Sequence, residues 1–216
     1  MSAEREQEIK VEMDDGVLSF SPTLSLQEVS DQIKNQLAPQ RVVTEVFMDE
    51  KHVGLEEEMR LAFTPISRLG RLAFRSKEVG ALIRESLELA PQICAAMEAE
   101  CHEIKALFSK ADLTEAHERV GELSALMDWL LQLITGLQSY GEKDFRSMSL
   151  KEGTPLDSVR RMESYLSRLH HHLSSKNFES FCELLVNDFL KETTSWTEMF
   201  QKACAEWTPK KIARVQ

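Results

Sequence analysis

Three histidines, His170, His171 and His172, stand in a row in the stretch SRLHHHLSSKNFESF. Imidazole is a common metal ligand and proton carrier, so the run raises the question of a metal centre. Successive residues of a helix point about 100° apart, so three neighbours cannot converge on one ion, whereas pairs spaced by four can. Leu166 and Ser174 occupy those positions around His170, and Arg168 and Lys176 around His172. Neither pair supplies a second ligand. The run reads instead as the last turn of a helix, where imidazoles interact favourably with the negative end of the helix dipole. A di-iron bundle needs Glu-x-x-His on two helices. Ala99 stands three before His102 and Thr114 three before His117, so that pattern is absent.

The cysteines are Cys94, Cys101, Cys182 and Cys204, and none forms a C-x-x-C pair. Zinc-ribbon and thioredoxin-like readings therefore lack their spacing, and in a reducing compartment free thiols are expected. Cys94 and Cys101 lie seven apart, on what reads as a core seam, where cysteine usually serves as a small buried hydrophobe. The sharper alternative is a metal- or ligand-binding helical-bundle enzyme with Cys94, Cys101, His102, His170 and Cys182 gathered between helices. No G-x-S-x-G, P-loop or G-x-G-x-x-G occurs. Catalytic and cofactor-binding residues are accordingly not assigned, and no cofactor is expected. The candidates for partner contact are the acid run Glu56, Glu57 and Glu58, read as a solvated turn or a contact for a basic partner; Trp129, which flanks a seam; and Phe145 and Met148, in the long connection 141–153.

The elements that must position these residues fall into two parts. In IKVEMDDGVLSF, Ile9, Val11 and Met13 alternate with Lys10 and Glu12, and Asp15-Gly16 supplies a turn, which predicts a hairpin. Ser25 with Glu28 is a capping box ahead of Leu26, Val29, Ile33 and Leu37, and Pro39 ends that helix. RVVTEVFMDEKHVG reads as a strand, a tight turn and a short strand, and GRLAFRS as a last strand. The expected fold is α+β: a small β-grasp-like, ubiquitin-like unit over 1–76, then an all-α antiparallel four-helix bundle of two long hairpins over 77–208, then a basic flexible tail over 209–216.

The bundle rests on four apolar seams. Ile83, Leu87, Ala90, Cys94, Met97, Cys101, Ile104 and Phe108 step by four and three without a break. Leu113, Ala116, Val120, Leu123, Met127, Leu130, Ile134 and Leu137 repeat the pattern, as do Val159, Met162, Leu166, Leu169 and Leu173. The fourth seam, Cys182, Leu185, Phe189, Trp196, Met199 and Ala203, has only Glu192 or Thr193 where an apolar residue is due. Asp112, Thr154-Pro155 and Asn177 are the expected caps. The short links near Ser109–Ala111 and at SSKN imply antiparallel neighbours.

RVVTEVFMDEKHVG and SSKNFESFCELLVNDFL, in this order of elements, resemble a family of bacterial proteins with a short β-grasp-like unit followed by helical hairpins. The resemblance spans most of the chain and implies the same layout. That family has no assigned activity, so the resemblance implies no catalytic residue.

Hydrophobic residues make up 42% and charged residues 29%, enough apolar content for a globular core. The formal charge of -10 argues against a nucleic-acid or anionic-membrane binder, both of which call for basic fields. The charged start MSAEREQEIK has no apolar signal core, and no stretch approaches the roughly 18 apolar residues of a spanning helix, so a cytoplasmic location is expected. The function these readings favour is a non-enzymatic protein-interaction module: an adaptor, a chaperone-like protein or a regulatory subunit. A structural homo-oligomer, such as a homodimer, is a further alternative. Leu130→Asp should place an unpaired charge in the core, cost several kcal/mol and unfold the helical part, whereas His171→Ala should leave the urea midpoint unchanged.

Overall fold

The computed structural model describes residues 8–142 and 144–209. The chain is α+β, a small mixed sheet followed by mostly helical segments, and it divides into two compact units between Leu82 and Ile83. From 210 onward the expected basic tail lies outside the described residues.

In the first unit, strands β1 (Ile9–Met13) and β2 (Gly16–Phe20) form the predicted hairpin. The turn differs in detail. Met13 pairs with Gly16, so the two turn residues are Asp14 and Asp15, and the positive φ of 50° falls on Asp14, not on Gly16. Helix α1 (Leu26–Leu37) carries the complete Ser25–Glu28 capping box. Strand β3 (Arg41–Met48), the two-residue β4 (Lys51–His52), helix α2 (Leu55–Leu61) and strand β5 (Leu72–Glu78) complete the unit. The sheet order is β2-β1-β5-β3-β4, with β1 and β5 parallel and the other neighbours antiparallel. Leu26, Val29 and Ile33 of α1 share one core with Val11, Phe20, Val46, Leu72 and Phe74 of the strands.

Asp14 does more than turn the hairpin. Its carboxylate accepts hydrogen bonds from the Ser76 amide (2.8 Å), Ser76 Oγ (2.7 Å) and Arg41 Nη2 (3.3 Å), while its own amide donates to the Phe74 carbonyl (3.0 Å). One side chain thus ties β1, β3 and β5 together. This also explains why β5 runs past the boundary expected at residue 76: Ser76 is buried and paired inside the sheet.

In the second unit, α3 (Val79–Ser109, its first turn lying ahead of the division) and α4 (Leu113–Tyr140) are long helices joined by a three-residue link. Arg119 of α4 reaches Glu100 of α3 at 3.2 Å, and the His117 ring meets that of Phe108, so α4 folds back along α3. Helix α5 (Pro155–Ser174) starts from a complete Thr154–Asp157 capping box. The expected fourth helix is interrupted: α6 (Phe178–Leu184) and α7 (Leu190–Glu206) are separated by a π-helical turn, Leu185–Phe189. The seams are buried from Ile83 to Ile104 and from Leu123 to Leu137, with Ala116 also buried. They fail at the ends, where Leu107 is buried in place of Phe108 and Leu113 is exposed, because a straight helix drifts against a strict seven-residue repeat.

Burial pushes the Asp14 carboxyl upward, but the bonds from Ser76 and the charge of Arg41 outweigh it, so the group titrates below its ordinary range. A lowered folded value means stability that is present above about pH 4 and is lost as pH falls through that value. Asp14→Ala should cost about 2 kcal/mol at neutral pH and flatten the acid limb of the stability curve, measured by urea unfolding between pH 7 and pH 3.

Candidate functional site

Three of the most exposed large apolar side chains of the described residues stand within nine positions: Leu55 (74% exposed), Met59 (69%) and Phe63 (87%). Their spacing of four puts them on one side of α2 and of the turn that continues it. Helix α2 buries none of its own residues; Ala62, just beyond it, turns inward. An exposed apolar stripe of this spacing is a candidate interaction surface. The run Glu56, Glu57 and Glu58, expected as a solvated turn, is the first turn of this helix, where carboxylates favour the positive end of the dipole. Glu57 pairs with Arg60 at 3.1 Å and Glu58 with Lys34 at 3.9 Å, while Glu56 points to solvent beside the stripe.

The same edge of the unit is open in a second way. Strand β4 pairs with Phe47 and Met48 only, with one further bond from the Val53 amide to the Val46 carbonyl. The outer edge of β3 from Arg41 to Glu45 has no strand neighbour among the described residues. A groove of about 230 Å³ runs along it, lined by Lys34, Val43, Thr44, Val53, Leu55 and Glu58. The tight turn Asp49-Glu50, with φ of 50° and 65°, holds this edge in place: Asp49 Oδ1 accepts from the Arg71 amide at 2.9 Å. Gly70 permits the approach, since a Cβ there would lie 2.0 Å from Asp49 Oδ2.

The other candidates scatter. Trp129 and Met148 are half-buried, and Phe145 is buried in a short 3₁₀ turn, so its ring faces the interior. Cys94, Cys101 and Cys182 are buried, whereas His102 and His170 are exposed. Among the described residues no three His, Cys, Asp or Glu side chains gather in a geometry that could hold a metal ion. Burial, reinforced by Glu100 and Glu98, pushes the Cys101 thiol up to about 12. Burial also raises Cys94, against a hydrogen bond to Thr197, and Cys182, against the charge of Lys105. These thiols are held protonated and poorly nucleophilic.

One polar cluster carries no chemical motif in the sequence and shows there only as a gap in the fourth seam. Glu192 (5% exposed) and Thr193 are buried where the fourth seam lacks an apolar residue. The Glu192 carboxylate accepts from Ser158 Oγ, from Arg161 Nε at 2.8 Å and from Arg161 Nη2 at 3.1 Å. The π turn ends three residues before Glu192, and the Leu190 carbonyl accepts from the Thr193 and Thr194 hydroxyls. π turns inside helices recur at functional positions.

Comparison with protein-family models, with curated proteins and with solved structures finds no match to this chain. No helix among the described residues is long and apolar enough to cross a membrane. Burial makes a direct prediction for the thiols. In the native protein Cys204, which is exposed, should be the one cysteine that reacts rapidly with a disulfide reagent at pH 8, with the other three released by denaturant.

Proposed function

We propose that this chain is a non-enzymatic, cytoplasmic protein-interaction module that holds a protein partner against the α2 stripe. The observation that carries the reading is the exposure of Leu55, Met59 and Phe63 together, on a unit whose other described large apolar side chains, Val17 apart, are buried or half-buried. Ordinary surface hydrophobics occur singly and need no explanation; three at helical spacing do. The partner that fits is a segment with an apolar ridge and basic flanks, since Glu56, Glu57 and Glu58 rim the stripe. Aromatic and methionine side chains in such patches are the usual anchors of binding energy.

We infer further that the first unit is a β-grasp and the second a four-helix bundle. A hairpin, a helix packed on the sheet, and β1 beside and parallel to β5 support a β-grasp, ubiquitin-like unit. Antiparallel contacts of α3 with α4 and of α5 with α7 support a four-helix bundle built from two hairpins. Both supports fit the bacterial family that the layout resembles. Fold alone assigns no partner, so the weight rests on the stripe.

The test uses the full chain as bait in a native lysate, beside a variant carrying Leu55→Ser, Met59→Ser and Phe63→Ser. All three positions are exposed, so the melting temperature should be unchanged. A partner recovered at near-equal stoichiometry with the parent chain should fall at least about tenfold with the variant. Equal recovery by both chains overturns the proposal. A second copy of the chain is the other reading, favoured if light scattering gives a two-chain mass that the triple variant reduces to one.

A further inference from the structure

Arg161, which pairs with the buried Glu192, lines a groove of about 1100 Å³ between α5, α7 and the segment 149–152. We propose that this groove binds a small phosphate-bearing molecule, with Arg161 and Lys191 as its anion contacts. The inference is independent of the α2 stripe.

Geometry carries it. Glu192 engages Arg161 from one side, through Nε and Nη2. That leaves the guanidinium its other fork, Nη1 with the second Nη2 proton, on a side chain that lines the groove. A planar fork matches the spacing of phosphate oxygens, which is why arginine is favoured for phosphate. Glu192 is buried and fixed by Ser158, so it acts as a buttress: it holds the guanidinium in one orientation before any ligand arrives. Such preorganisation removes part of the cost of binding. Lys191, the residue next to the buttress, is exposed, lines the same groove and has no ion pair among the described residues.

The walls are tied in place. Lys151 Nζ meets Glu198 Oε1 at 2.6 Å, and Lys202 Nζ donates to the Ser149 carbonyl at 2.6 Å, so the segment 149–152 is strapped to α7 from two sides. Those two lysines, Lys202 also facing Glu206 at 3.8 Å, are spent on the frame. Glu152 is the competing anion: it lines the groove, and its field reaches Arg161. The volume exceeds what inorganic phosphate needs and suits a molecule of nucleotide size. Residues 149–152, the end of the long connection, thus form one wall of the site.

Calorimetric titration of the full chain at low salt tests this, with inorganic pyrophosphate and a nucleoside diphosphate as probes and citrate as a carboxylate control. One equivalent of either phosphate probe should bind with a Kd below about 1 mM. Lys191→Gln should weaken binding about tenfold, and Arg161→Lys should weaken it at least as much, because it keeps the charge on Glu192 but loses the fork. Glu152→Gln should tighten binding. Lys191 and Glu152 are exposed, so those two variants should keep the parent melting temperature, which separates loss of a contact from loss of the fold. Absence of saturable heat with both phosphate probes overturns the proposal, as does binding that is unaffected by both Lys191→Gln and Arg161→Lys. Citrate binding as tightly as pyrophosphate overturns the assignment to phosphate.

Discussion

A helix of 31 residues such as α3 holds its place in water only if its apolar stripe is covered along its length. Residues from Ile83 through Leu87, Ala90, Cys94, Met97 and Cys101 to Ile104 are all buried, so that requirement is met without a gap. The other helices of the second unit follow from it. Each must present a seam of matching period, and each does so through Leu123 to Leu137, through Met162 and Leu169, and through Cys182, Phe189, Trp196 and Ala203. The cysteines at 94, 101 and 182 are members of these seams, which accounts for their raised thiols and for their separation from the exposed histidines.

Where the constraint is broken, the break is informative. Glu192 and Thr193 occupy seam positions, and a buried carboxylate costs free energy unless it is paired. Arg161 and Ser158 supply the pairing, and the π turn at Leu185–Phe189 precedes it. The opposite break occurs in the first unit. Leu55, Met59 and Phe63 have the spacing of a buried helix face and are left in solvent. A polar group kept inside and an apolar stripe kept outside both depart from local rules, as residues at functional or strained positions do.

The elements were legible in the sequence because their signals are local. Capping residues Ser25, Asp112, Thr154 and Asn177 all cap as their types demand, and the heptad steps of α3 and α4 needed no tertiary knowledge. Strand β1 was readable from the alternation of Ile9, Val11 and Met13, and β3 to β5 from the segments RVVTEVFMDEKHVG and GRLAFRS, although β5 lies two residues further on than that segment. What stayed hidden depends on contacts distant in sequence. The left-handed turn residue is Asp14 because its carboxylate is pinned by Ser76, 62 residues away. The acid run at 56–58 is a helix, although three adjacent carboxylates gave no periodic signal. The stripe could have been found from the spacing of Leu55, Met59 and Phe63; the burial of Phe145 could not, since nothing in a loop sequence marks a ring as interior.

The most direct measurement is photo-crosslinking in the native cell, with a photoreactive residue at position 59 in one chain and at position 17 in another. Val17 is exposed as well, at 58%, but stands apart from the stripe on strand β2, so it controls for chance encounter. The account predicts a discrete adduct of defined mass from position 59 and none from position 17. No adduct from position 59, or the same adducts from both positions, would contradict it.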